Sequence, residues 1–292
     1  MALHCTLLVA SLEGHSTHGL LELGTGNARV VSSHLSHITE LSYIIPSPCR
    51  RVLTDDGTRS SPFAFLTEPA PNLRKLVLLE AWDGSWPGVA EQFDLLAGKA
   101  PRLREVELGI CPIPWSSQIF QNLMSLEITL PDCLSRKLFV FTRPQPNQWS
   151  TLAPSLEQVM TILDNCSPTL ETCRLDFGTL PLLGSAEGYS QTPVCLARLT
   201  SFSVRAMVTE FVAFFRCIEV PPRVQLSARL WSPYNDDGRN APYFELIEIM
   251  QQHAARRLTS TAPFTYMSID NVSYVNVTLS SPDVANALIV SI

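Results

Sequence analysis

Six histidines and eight cysteines are the side chains of this chain best suited to metal or nucleophilic chemistry. His15-x-x-His18 and His34-x-x-His37 have the spacing that sets two imidazoles on one face of a helical turn, where zinc is commonly held. Neither stretch has helical periodicity, and no third ligand stands close in sequence, so neither pair is assigned a metal. The cysteines, at 5, 49, 111, 133, 166, 173, 195 and 217, are spread singly with no CxxC, which removes the usual structural zinc patterns. They are expected to be reduced, packed thiols, with Cys173 in a slot that other parts of the chain fill with leucine. GTGN at 24–27 starts like a phosphate loop but lacks the later glycine and the lysine–hydroxyl ending that would cradle phosphate. Asp55-Asp56-Gly57 and Asp236-Asp237-Gly238 lack the spaced acids of a calcium loop and are expected to be turns. No G-x-S-x-G elbow and no H-E-x-x-H helix is present. The expectation is therefore a non-catalytic protein with no cofactor and no metal; a hydrolase with a sequence-dispersed triad is the alternative that motif reading leaves open.

Composition narrows the partners. The chain has 292 residues, is 46 % hydrophobic and only 16 % charged, and carries a formal net charge of -6. That balance gives no general attraction to phosphate backbones or anionic lipids, so nucleic acid and membrane surfaces are not expected partners. No apolar run approaches the ~20 residues that a membrane-spanning helix requires. The opening MALHCTLLVASLEG lacks the basic segment of a secretory signal, which predicts an intracellular protein, cytoplasmic or nuclear.

The elements that would position any binding residues come from a repeat. The pattern L-x-x-L-x-L recurs at Ile38/Leu41/Tyr43, Leu73/Leu76/Leu78, Leu103/Val106/Leu108, Leu123/Leu126/Ile128, Leu170/Cys173/Leu175 and Leu199/Phe202/Val204. A weaker unit, Val224/Leu226, has Pro221 in the first slot, and Phe264/Met267/Ile269 makes an eighth. The last two positions of each triplet are two residues apart, so in an extended chain they face the same way, while the first lies just before the strand and plugs the core. Proline introduces several units, in AlaProAsnLeu, AlaProArgLeu and SerProThrLeu, where it ends the preceding segment and favours extended geometry next to it.

Between the strands the apolar spacing becomes helical. It predicts helices over Gly88 to Lys99, over Ser155 to Cys166 with Ser155 and Gln158 as a capping box, and over Val208 to Ile218. A fourth, Pro242 to Arg257, would bury the face holding Phe244, Ile247, Glu248, His253 and Ala254. Alternating strands and helices imply right-handed parallel crossovers, and a recurring unit implies a leucine-rich-repeat-like α/β solenoid, with helices on its convex side. Successive units are 20 to 47 residues apart by the first-slot positions, so the coil is irregular with expanded connections. Residues 1–34 are expected to be an irregular N-terminal segment and 35–292 one repeat domain.

In such a coil the residues beside the inward pair line the concave face. Lys75 and Val77, Glu105 and Glu107, and Glu127 would stand on adjacent strands, followed by Thr172, Arg174 and Asp176, by Ser203 and Arg205, and by Arg223. The three glutamates predict an acidic patch and the three arginines a more basic far end, which together suit a protein target of matching charge.

The segment CPIPWSSQIFQNLMSLEI, preceded by APRLREVEL and followed by LEQVMTILDNC and CSPTLETCRL, resembles the mushroom-type fungal F-box proteins with leucine-rich repeats. The likeness spans roughly residues 35 to 270. It implies the substrate-binding repeats of an SCF-type ubiquitin ligase, in which a helical F-box would hold a Skp1-type adaptor. Residues 1–34 contain no F-box-like run, so the resemblance extends to the repeats and leaves the adaptor contact without a counterpart here. A truncated or decayed repeat copy without adaptor binding is the alternative expectation within the same fold.

Overall fold

The computed structural model describes residues 31–45, 66–80, 94–109, 113–129, 154–176, 192–221, 223–231, 244–249, 252 and 275–279. Strands β1 (Glu40–Ile45), β2 (Lys75–Glu80), β3 (Glu105–Leu108), β4 (Ser125–Thr129), β5 (Thr172–Asp176), β7 (Ser201–Met207) and β9 (Gln225–Trp231) lie side by side in that order, all parallel. The two short strands between them, β6 (Val194–Cys195) and β8 (Ile218–Glu219), pair with each other in a separate parallel ladder. At the far edge β10 (Val275–Leu279) runs antiparallel to β9. The protein is thus α/β, with seven parallel strands and few helices among the described residues.

Register explains why these segments pair as they do. Leu41, Leu76, Val106, Leu126, Cys173, Phe202 and Leu226 are Cα partners in one column across the seven strands. Tyr43, Leu78, Leu108, Ile128, Leu175, Val204 and Ala228 form the next column on the same face. A shift by one residue would turn every one of these side chains into solvent, so the shared apolar face fixes the pairing. All of the first column and most of the second are buried in a single hydrophobic core, with Tyr43 half-buried at its margin.

One hydrogen-bond arrangement leads into strand after strand. The carbonyl of Thr39 accepts from the amides of both Arg74 and Lys75, that of Arg74 from Arg104 and Glu105, and that of Arg104 from Met124 and Ser125. The series continues from Met124 to Glu171 and Thr172, and from Glu171 to Thr200 and Ser201. Just before several strands, a tight turn closes on the first-slot residue: Leu73 to Ala70, Leu103 to Ala100, Leu199 to Leu196 and Val224 to Pro221. These turns satisfy backbone groups that the buried leucine carries inward with it.

Two helices complete the core on the same face of the sheet. In α1 (Leu156–Cys166) the amide of Gln158 donates to Ser155 Oγ and the Ser155 amide to Gln158 Oε1, a capping box that satisfies two orphan donors. Its Leu156, Val159, Met160 and Leu163 are buried, as the periodicity predicts. In α2 (Val208–Arg216) the same holds for Val208, Phe211, Val212 and Phe215, and Phe214 sets its ring 6.0 Å from that of Phe202 on β7. Trp115 and Phe120 cover the core between β3 and β4, with stacked rings 6.0 Å apart.

Several expectations are corrected. The described end of the segment 88–99 is no α-helix: Leu95–Gly98 forms a 3-10 turn whose Leu96, Ala97 and Gly98 all have positive φ. This left-handed turn sends both Leu95 and Leu96 fully into the core, and the Leu96 amide donates to the Leu66 carbonyl at 2.7 Å. Residues 244–249 are helical, but Leu246 is the buried residue, whereas Phe244 is 70 % and Ile247 38 % exposed. The weak unit at 224–226 sits two residues out of the expected register, because Leu226 and Ala228, not Val224 and Leu226, continue the two columns. The strand beside β9 is antiparallel where a further parallel rung is predicted, and the eighth triplet at 264–269 lies outside the described residues. Finally, residues 31–34 are helical and Val31 joins the core, inside the segment expected to be irregular.

Candidate functional site

Side chains alternate along a strand, so the residues between the core columns form the opposite face of the sheet. Three columns cross it. The first holds Glu40, Lys75, Glu105, Ser125, Thr172, Ser201 and Gln225, and the second Ser42, Val77, Glu107, Glu127, Arg174, Ser203 and Ser227. The third contains Thr129, Asp176, Arg205 and Arg229. Lys75, Glu105, Glu107, Glu127, Thr172, Arg174, Asp176, Ser203 and Arg205 therefore stand together on one face, in the columns their spacing predicts.

Two residues depart from the expectation. Arg223 lies in the turn before β9, outside the ladder, since pairing with β7 starts at Gln225. The missing leucine in that unit misplaces it: Val224 takes the plug position one residue nearer the strand than Leu199 does in the preceding unit. Val77 is on the expected face but only 7 % exposed, so it is a filler beneath its longer neighbours and not a contact residue. Arg229 is the residue that the shifted register hides; it pairs with Arg205 across β7 and β9 and is exposed. The alternation from Leu226 to Ala228 and Leu230 is the signal that finds it.

Electrostatics on this face is organised by cross-strand pairs. Lys75 Nζ lies 3.5 Å from Glu105 Oε2, and Arg174 Nη1 lies 3.3 Å from Glu127 Oε1, both between residues in direct register. Arg205 Nη1 and Asp176 Oδ2 are 3.8 Å apart, with both side chains about 15 % exposed. The first two pairs are open to water and contribute ~0–1 kcal/mol each, while the enclosed third is held more firmly. The expected acidic patch and basic end are thus stitched together by salt bridges and not separated. A gradient survives: β1 to β4 carry four carboxylates and one lysine, whereas β5, β7 and β9 carry three arginines and one aspartate. Glu107 has no cationic partner among the described residues and stands in register with Glu127, a like-charge neighbour. Hydroxyls fill the middle of the face, where Thr172 Oγ1 donates to Ser125 Oγ at 2.8 Å.

Among the described residues the cysteines are free thiols of differing exposure, with Cys195 exposed and Cys217 half-buried. Cys166 and Cys173 are buried free thiols; burial pushes Cys166 up to about 11, partly offset by a backbone hydrogen bond, and pushes Cys173 further still. Cys173 sits between Leu126 and Phe202 as a small apolar residue. Among the described residues no group of three His, Cys, Asp or Glu side chains is placed to hold a metal ion; His34 precedes and His37 ends a 3-10 turn, Leu35–His37. A cavity of about 250 Å³ opens beside β8, with Phe215, Ile218, Val220 and Ile249 as its apolar walls. No helix among the described residues is long and apolar enough to cross a membrane.

Comparison with protein-family models, with curated proteins and with solved structures found no match to this chain.

Proposed function

We propose that this chain is a non-catalytic protein-recognition module, a leucine-rich-repeat-like solenoid that takes a protein target on the polar face of its sheet. The observation that carries the reading is the ladder itself: seven parallel strands in unbroken register, five of them (β2, β3, β4, β5 and β7) entered through the same forked hydrogen bond. Stacked units of one kind produce such a ladder, and stacking leaves one face of every strand free to line a long binding surface. Exposed Glu105, Thr172 and Arg174 on that face offer polar and charged groups of the kind a protein partner contacts. The resemblance to mushroom-type F-box proteins extends the proposal to substrate selection for a ubiquitin ligase.

Affinity capture with the wild-type chain and a Thr172→Arg variant tests the face. A bulky cation at an exposed mid-sheet position is expected to abolish retention of the captured target while leaving the melting temperature unchanged. Equal retention by both forms rejects this face as the binding surface. Mixing the chain with a purified Skp1-type adaptor tests the ligase context separately, through co-elution on gel filtration.

A further inference from the structure

We infer that the rim of the ladder where β2 and β3 begin is a second contact surface, one that takes an Asp- or Glu-rich segment of a protein partner. It is separate from the polar face and independent of what that face binds. Arg74, Arg102 and Arg104 carry it, with Lys99 beside them.

The strand-entry geometry gathers these cations. The Arg74 carbonyl accepts from the Arg104 amide at 2.9 Å, so the two residues stand side by side, one interstrand step of ~4.8 Å apart. Arg102 reaches back across the same step, where its Nη1 donates to Asn72 Oδ1 at 3.0 Å, and Asn72 Nδ2 donates in turn to the Ser36 carbonyl. Lys99 is tied to the turn before β2, its carbonyl accepting from the Ala70 amide at 3.0 Å. Arg74, Lys99 and Arg102 are exposed, and Arg104 is half-buried.

The acceptors that hold the arginines are neutral. Arg102 rests on an amide oxygen, and Arg104 Nη1 donates to the carbonyls of Leu103 at 2.8 Å and Pro101 at 3.4 Å. Such acceptors fix a guanidinium in place without cancelling its charge, and they leave further N–H donors of each arginine for a ligand. Among the described residues no carboxylate forms an ion pair with any of the four cations. Glu105, next to Arg104, is held by Lys75, and Glu171, further along the rim, by Arg198. The described turns leading to β2 and β3 hold two acids, Glu68 and Asp94, which leaves the rim with an excess of positive charge on a chain of net charge -6. That local field draws carboxylates and holds them.

The arrangement also selects among anions. Arg102 and Arg104 are anchored at separate acceptors, so the charge is spread along the rim and suits several carboxylates better than one compact phosphate. The next rim position is Met124, whose amide donates to the Arg104 carbonyl and whose side chain is 39 % exposed; Glu171 follows it. A nucleic-acid backbone following the rim would run from cations onto a carboxylate, whereas a peptide can lay an apolar side chain on Met124.

Fluorescence anisotropy of a short labelled peptide, with Asp and Glu residues followed by Leu between Gly and Ser flanks, tests the assignment when titrated with the full chain. Binding should weaken roughly five- to tenfold in Arg74→Glu and in Arg102→Glu, exposed positions whose folding is checked by a cooperative melt. It should be unchanged in Thr172→Arg, which alters the polar face instead, and lost when the peptide's acids are replaced by Asn and Gln. Equal affinity of the wild type and Arg74→Glu, or no binding of the acidic peptide to a cooperatively melting chain, would overturn the inference. A single-stranded oligonucleotide or a phosphoserine form of the peptide that bound at least about tenfold more tightly, and lost that binding in Arg74→Glu, would reassign the rim to phosphate and overturn the carboxylate partner.

Discussion

Neighbouring residues 126 and 127 offer a sharp test of the ladder, because one is in the core and the other on the polar face. Leu126 is 1 % exposed and sits in register between Val106 and Cys173, at the middle of the seven parallel strands. Truncation to alanine removes most of its apolar side chain and leaves a void that cannot close easily, since hydrogen-bonded strands on both sides fix the spacing. Leu→Ala changes at such positions cost ~3–5 kcal/mol, the loss of transfer energy plus the cavity. Glu127→Ala removes one salt bridge, to Arg174 at 3.3 Å, whose side chains are 31 % and 55 % exposed. That pair is screened by water and its loss costs ~0–1 kcal/mol. Urea denaturation followed by circular dichroism measures both, with unchanged slopes required for the comparison. Comparable midpoint losses for the two variants, or a Leu126→Ala loss under ~1 kcal/mol, would refute the register and with it the assignment of an inner and an outer face.

Two further outcomes follow from burial. The Cys166 thiol keeps its proton in the fold up to about 11, whereas an exposed thiol releases it near 9.0; the unfolded chain therefore binds fewer protons in that interval. Stability contributed by the protonated thiol is complete below pH 9 and falls as pH rises toward 11, by about 2–3 kcal/mol, with Cys173 acting in the same direction; denaturant titrations at pH 8 and 10.5 should show the decline, and Cys166→Ala should make it shallower while the Cys173 part remains. In the helical stretch 244–249, Leu246→Ala should lower stability by ~2–4 kcal/mol and Phe244→Ala by under ~0.5 kcal/mol, read from chemical denaturation, because only the former is buried.

The strands were legible wherever a triplet combined a plug leucine with two residues of spacing two, since that combination specifies both a strand and the face it buries. For this reason Leu76, Val106, Leu126, Cys173 and Phe202 fall in one column as read. Legibility failed where one slot lost its marker. Pro221 in place of leucine shifted the reading of β9 by two residues, which exchanged Arg229 for Arg223 on the face. The segment 88–99 misled for another reason: its spacing suits a helix, but the side-by-side Leu95 and Leu96 are both buried through a left-handed turn. Nothing local in the sequence announces that backbone, because ~1–2 kcal/mol of strain per non-glycine residue is offset only by distant packing. The residues 244–249 failed on facing, as the aromatic Phe244 outranks Leu246 on hydrophobicity while the tertiary contact chooses Leu246. On the open face, single residues were legible but their pairing was not: that Glu127 meets Arg174 depends on β4 and β5 being neighbours across 47 residues.

The reversed direction of β10 has a consequence for how such a protein can change in size. A further strand that follows a right-handed crossover joins its neighbour in parallel, and it can do so only at an edge of that neighbour not already paired. At β9 that berth is taken by a strand of opposite polarity. A further strand paired in parallel with one of the seven must therefore enter on the β1 side of that junction, beside β1 or between two existing strands, and only an addition beyond the β5 side of the arginine-bearing strands leaves their distance from β10 unchanged.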